Sequence, residues 1–415
     1  MRGSTERHPV LLLGIVLFSL VAQGCVLERR GSDRGAVLWN ESRLAALAAA
    51  WADSAPTAPS LVVELLGRAE RRLTAGPYSV LDCCPPPGDD PRDFVSYGAY
   101  WWPDPDRPDG LPWVHRDGSP NPDAEGDMAS MKDMTNAVRD LALAWRITGQ
   151  ERFAERAALL LRTWFVTPET RMTPRCRYGK IIPGRSDGGL VVAGMADRFR
   201  VLVDAVGCLE GATAWTASDR EGWREWCRQF RLWLETSPEG LREREMANNH
   251  GTAYDLLDAL LACAAGEEDE ARAAVARWRD VRQQQQILPS GEQPREDRRA
   301  DGLLYHLFNC RLALELGLLA RRLGEPDPAT EAAPAWSRLR TAVDVLLPYL
   351  TGRAVWPGDP EGRFPLKRRL AGEVLVRAAL LFKSDHYLEL ATRIASCEPL
   401  RFDALTLTAL PGCNS

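Results

Sequence analysis

An all-α fold of stacked helical hairpins is what this sequence predicts, and three observations carry that expectation. Apolar residues recur at helical spacing, as in Phe153, Ala157, Leu160, Leu161 and Trp164, which share one face of a 3.6-residue helix. Alternating apolar and polar stretches, the mark of half-buried strands, are scarce. The helical stretches run about three to five turns with loops of variable length between them, which favours antiparallel neighbours.

The chain begins with an address. Arg2 and Arg7 precede an apolar core from Val10 to Val21, too short for a membrane helix and suited to a signal peptide over 1–24. The segment ends Ala22-Gln23-Gly24-Cys25. A small residue before cysteine is similar to a bacterial lipoprotein cleavage site, so Cys25 is the expected lipidation site. An ordinary cleaved signal is the alternative. Either way the protein is expected to be exported, as a periplasmic or membrane-anchored molecule. Residues 25–38 are polar and rich in Gly and Arg, a tether, and no later linker splits 39–415, which is expected to form one domain. No later segment reads as long and apolar enough to span a bilayer.

Helical patterns then cover roughly 42–52, 60–74, 188–206, 219–235, 251–265, 268–286, 303–323, 333–350 and 370–383. Val138, Leu141, Ala142 and Trp145 mark one more, before the helix of Phe153 to Trp164. Ser237-Pro238 reads as an N-cap with proline at the first helical position. The stretch from Pro77 to Asp127 breaks the pattern with many prolines, glycines, aspartates and aromatics. A loop of that length in a compact fold is functional or disordered. Tyr97, Tyr100, Trp101, Trp102 and Trp113 need something to pack on, so an ordered loop lying across a groove is expected.

A net charge of −5 makes the molecule as a whole no polyanion binder, and no nucleic-acid partner is expected. An anionic ligand must be held by a local basic groove. Of 52 Lys and Arg residues only Lys132, Lys180, Lys367 and Lys383 are lysine. Arginine presents a planar fork to carboxylates. The ten cysteines show no repeated Cys-x-x-Cys and no nearby histidine pair, so no metal site and no cofactor is expected. Cys208, Cys227, Cys263 and Cys310 fall in helical patterns and are expected to be buried free thiols.

The long loop reads Ser96-Tyr97-Gly98-Ala99-Tyr100-Trp101-Trp102-Pro103-Asp104-Pro105, then Pro108-Asp109-Gly110-Leu111-Pro112-Trp113 and Arg116-Asp117-Gly118-Ser119-Pro120-Asn121-Pro122. Further along come Arg162-Thr163-Trp164-Phe165, Pro168-Glu169-Thr170-Arg171-Met172 and Asn248-Asn249-His250-Gly251-Thr252 with Tyr254-Asp255, then Gln293-Pro294 and Tyr305. In this order and spacing, over most of 78–310, the chain resembles the alginate lyase family. The resemblance implies an incomplete (α/α) toroid, a ring of antiparallel helical hairpins. It also implies β-elimination on a uronic-acid polymer, with an acidic polysaccharide as partner. Two stretches depart from the family: Arg92-Asp93-Phe94, where many relatives have His-Asp-aromatic, and Gly184-Arg185-Ser186-Asp187-Gly188.

Such a reaction removes the proton on the carbon bearing the carboxylate and expels the neighbouring glycosidic oxygen. It needs a carboxylate clamp, a base and an acid. Asn249 can donate to the carboxylate and His250 can exchange a proton, although a capping Asn beside a structural His would look the same. The family context assigns both to catalysis and leaves Asn248 to hold the loop. The resemblance also implies that Tyr305 is the acid or base and that Arg299 neutralises the carboxylate, with Arg298 the alternative. Positive charge near Tyr305 is expected to favour its phenolate. His306 follows tyrosine in some relatives and is an expected substrate contact, or else faces another side of the helix. Tyr100, Trp101, Trp102 and Trp113 offer flat faces for sugar rings, at least two of them expected to be structural. Lys180 and Arg185 lie in a Gly-rich loop suited to substrate carboxylates.

Two rival readings stand. A helical-ring glycoside hydrolase needs paired carboxylates, for which Asp93, Asp117, Asp187 and Asp255 are available. A surface polysaccharide-binding lipoprotein needs no catalytic set at all. Elimination creates an ultraviolet-absorbing double bond, which neither rival produces.

Overall fold

The computed structural model describes residues 37–54, 60–326, 328–329, 334–362 and 366–395. The expected signal segment, Cys25 and the tether up to residue 36 lie outside the described residues. The tether's last two residues are held in place: the backbone N–H groups of Val37 and Leu38 donate to Asp204, at 2.5 and 2.7 Å.

The helices are α1 (Glu41–Ser54), α2 (Ser60–Arg72), α3 (Asp127–Thr148), α4 (Glu151–Leu161), α5 (Val192–Cys208), α6 (Ala217–Thr236), α7 (Pro238–Arg244), α8 (Asn249–Ala265), α9 (Glu268–Arg277), α10 (Gln283–Gln286), α11 (Pro294–Asp297), α12 (Gly302–Arg322), α13 (Ser337–Leu350), α14 (Arg368–Phe382) and α15 (Asp385–Ala395). Helices α3, α5, α8, α12 and α14 follow one another as packed neighbours. Each carries outer partners: α2 and α4 on α3, α6 and α9 on α8, α13 and α15 on α14. This open row of hairpins is the incomplete (α/α) toroid.

Local chemistry explains the joints. Helix α3 stops at Gly149, whose φ of 67° suits a residue without Cβ. Thr216 and Asp219 form a reciprocal capping box on α6, and Ser237 caps α7 with Pro238 at its first position, as its sequence predicted. The expected helix 268–286 is instead interrupted by a π-helical turn, Trp278–Arg282. Helix α15, absent from the sequence reading, follows directly on Lys383 and Ser384.

The core sits between the helical layers. Phe165 meets Trp223 and Trp226 edge-on, each at 4.8 Å, and Phe199 stacks on Trp226 at 5.8 Å. Such aromatic side chains bury large areas and add geometric preference to the packing. Helix α12 corrects one expectation. By length and composition it could cross a membrane, but 83% of its apolar window is buried in the protein. Its composition is explained by its seat between α8 and α14. Cys208, Cys227 and Cys310 are buried free thiols and Cys263 is half-buried.

The long loop is ordered and contains short strands that the sequence reading did not anticipate. Strand β1 (Val95–Tyr97) pairs in parallel with β4 (Tyr178–Ile181). Strands β2 (Trp101–Trp102) and β3 (Val114–His115) form an antiparallel ribbon that sets Trp101 opposite His115 and Trp102 opposite Val114. The loop is pinned to α3 where Val95 N–H donates to the buried Asp127 at 2.7 Å.

Candidate active site

The site is built where α8 begins. Asn248 is the N-cap, its side chain accepting the His250 N–H at 3.2 Å. Its carbonyl accepts from Gln286, at 2.8 Å, which also binds Thr252 and Asn309. Beneath the turn, Arg282 donates to the carbonyls of Met246 (2.9 Å) and Arg244 (3.0 Å) while pairing with buried Asp255. A Cβ on Gly251 would collide with the Met246 carbonyl and the Arg282 guanidinium. Asn248 and Gly251 are therefore what this crowded turn requires.

Asn249 is buried, and both its backbone N–H and its Nδ2 donate to the Glu296 carboxylate at 2.6 Å. Burial raises the pKa of Glu296, against the pull of those two hydrogen bonds. The second Nδ2 proton of Asn249 meets no acceptor among the described residues. His250 is half-buried, with Nδ1 2.7 Å from Glu243. Its Nε2 has no partner among the described residues.

Arg299 lies three residues beyond Glu296. Its Nε donates to Asp117 at 3.1 Å, its Nη2 closes the fork on the other carboxylate oxygen, and the Ala300 N–H adds a third bond at 3.0 Å. These partners, Arg299 first, lower the pKa of Asp117 to about 2. The guanidinium carbon stands 3.7 Å from the centre of the Tyr305 ring. Tyr305 is in the first turn of α12 and only 8% exposed, and its hydroxyl is buried beside Tyr100 without a well-formed hydrogen bond. Burial, and then Tyr100, hold the phenol well above the ordinary tyrosine range, and Arg299 does not outweigh them. The expectation of a favoured phenolate is thus reversed: desolvation wins over the nearby cation.

Glu296 bonds Asn249 and feels the charges of Arg299 and His250, and Arg299 stacks on Tyr305, so these four residues are linked through Glu296 and that stack. Other expected contacts divide. Tyr100 and Trp101 turn towards His115, at 6.4 and 5.1 Å, and Arg185 lies over Trp101 while donating to the Trp113 carbonyl at 2.7 Å. Trp102 and Trp113, with Tyr97, Pro103, Pro105 and Pro183, line an open groove of about 700 Å³. Lys180 is half-buried on β4 and pairs with no carboxylate among the described residues. Arg298 is exposed and donates to the Pro294 carbonyl, so Arg299 is the arginine at the tyrosine. His306 corrects an expectation. It is fully buried, its Nδ1 2.7 Å from Asp297 and its Nε2 3.1 Å from the Ala342 carbonyl, so it holds the fold and cannot touch a polymer in this arrangement.

Glu296, Glu243 and Asp117 hold this cluster, and none was assigned a role in the elimination from sequence; Asp117 was named only as a carboxylate that a hydrolase could use. Glu296 lies two residues after the Gln293-Pro294 motif, which was the available signal. Of the four aspartates a hydrolase could use, Asp93 is bound by Arg175, Asp117 by Arg299, and Asp255 by Arg277 and Arg282. Only Asp187 is exposed without such a partner among the described residues. That leaves no couple of open carboxylates in this set.

Residues 85–356 match the family model for alginate lyase. This chain belongs to the alginate lyase family. It is similar to an alginate lyase from Bacteroides ovatus at 30% identity and a TM-score of 0.80, over 91% of this chain and 99% of that one. An alginate lyase from a Sphingomonas species shares the fold at 15% identity and a TM-score of 0.50, over 85% of this chain and 94% of that one. No curated protein matches. The family member described here is a polysaccharide lyase.

Proposed function

We propose that this lyase cleaves a uronic-acid polymer, alginate or poly-mannuronate before others, by β-elimination that leaves unsaturated uronate ends. The observation that carries the reading is the convergence of Asn249, His250, Arg299 and Tyr305 on one half-buried cluster. The family and the Bacteroides ovatus alginate lyase support the same substrate class.

In this reading Asn249 donates a hydrogen bond from its second Nδ2 N–H to the substrate carboxylate as negative charge builds there. Arg299 adds its positive charge from the Asp117 clamp, with Nη1 bonded to no group among the described residues. His250 Nε2 takes the proton from the carbon bearing the carboxylate. Tyr305, kept neutral by burial, is suited to donate its proton to the departing glycosidic oxygen. The hydroxyl lies buried beside Tyr100, so the polymer reaches it only when that segment gives way. Trp102 and Trp113 offer ring faces for sugars in the groove, and Arg185 and Lys180 offer charge for neighbouring carboxylates. A panel of acidic polysaccharides read by ultraviolet absorbance tests the proposal. Turnover of none of them would end it.

A further inference from the structure

We propose that Glu243 is the positioning residue that fixes the tautomer of His250 and thereby presents Nε2 as the base. The inference rests on the elimination reading above and adds to it a residue that no part of that reading uses.

A neutral imidazole carries one proton, and the nitrogen that keeps it is the one with the better acceptor nearby. Glu243 sits 2.7 Å from His250 Nδ1. A carboxylate accepts and does not donate when ionised. It therefore holds the proton on Nδ1 and leaves the lone pair on Nε2, the nitrogen without a partner among the described residues. The same division of labour orients the base of serine hydrolases, where the wrong tautomer costs several orders of magnitude.

The placement of Glu243 argues against an incidental pair. Its side chain is 11% exposed, against 28% for His250, so solvent does little to screen the contact or compete for it. Helix α7 packs against both α6 and α8, and a Cβ on Gly240 would strike the Leu234 carbonyl, so α7 approaches as close as glycine permits. The Glu243 carbonyl accepts the Met246 N–H at 3.2 Å, which fixes the turn leading into Asn248. Glu243 and His250 are thus held from both sides of one short connection. Among the described residues His250 is the only side chain bonded to the Glu243 carboxylate.

The test has two arms. Histidine-labelled protein gives two-bond proton–nitrogen correlations that distinguish the tautomers, with His250 assigned by its loss in His250→Gln. Protonated Nδ1 and bare Nε2 are expected in the wild type, with Nε2–H gaining in Glu243→Ala. On alginate, Glu243→Ala should lower kcat by about 10²-fold, the scale of general acid–base catalysis, with KM within about twofold. Glu243→Gln keeps an acceptor oxygen and should fall between the two. Nε2–H in the wild type overturns the proposal. So does wild-type kcat in Glu243→Ala, or lost kcat with the tautomer unchanged, which would mark a packing effect. If Glu243→Ala does not fold, the wild-type spectrum and Glu243→Gln still decide. If the wild type cleaves no uronate polymer, the elimination reading fails while the spectrum still answers for the pair.

Discussion

The guanidinium of Arg299 lies over the ring of Tyr305 while its fork is closed on Asp117. One arginine therefore joins the long loop, the start of α12 and the candidate acid. Face-on contact of this kind is worth about 0.5–2 kcal/mol, and the fork supplies direction that a lysine would lack. Asp117→Ala should leave Arg299 free to wander and release the loop. The expected result is faster proteolysis within residues 77–127 and a raised KM, with helical content unchanged. Loop cleavage at the wild-type rate would show that the clamp does not hold it.

Tyr305→Phe keeps the ring under Arg299 and removes the one proton that the phenol can exchange. The kcat on a uronate polymer should fall by about 10²-fold or more, while KM changes little. Full activity in this variant would remove Tyr305 from the chemistry and leave the reaction class standing.

His306 makes a pH prediction. Burial opposes its charge, but Cys310 and Asp297 outweigh it and raise its pKa to about 10. The unfolded value is about 6.5. A raised folded pKa means stability that is fully present below about 6.5 and lost as pH rises through about 10. Thermal melts of wild type and His306→Gln should differ most at pH 6 to 7, by roughly 3–5 kcal/mol for a broken buried pair, and draw together near pH 10 to 11. A gap that does not change with pH would mean that the histidine is neutral in the fold.

Export is proposed from the sequence. Cys25→Ser should leave the protein in the soluble fraction if Cys25 carries the lipid. A wild-type protein that is itself soluble, with its N-terminus at another residue, would end the lipoprotein proposal.

The long helices were legible because each presents an apolar face for several turns, and the cap at Ser237 carries its own chemistry; the four-residue α11 and the terminal α15 went unread, and Asn248 was given to the loop when it caps α8. The strands of the long loop were not legible, since two or three residues are too few to display alternation. Asp117 and Arg299 are 182 residues apart, and nothing in either neighbourhood announces the pair. His306 follows Tyr305 on one helix, so its side chain leaves about 100° around the axis; the sequence left the site and another side of the helix both open, and the packing against Asp297 and the Ala342 carbonyl places it in the core. The phenol's preference went wrong for a different reason: sequence displays the arginines but not the burial that outweighs them.

The most direct test of the central claim is the ultraviolet absorbance of products when the wild-type protein acts on alginate. A rise in absorbance that keeps pace with new chain ends is expected, because elimination conjugates a double bond to the carboxylate. New reducing ends without absorbance would mean hydrolysis and would contradict the account.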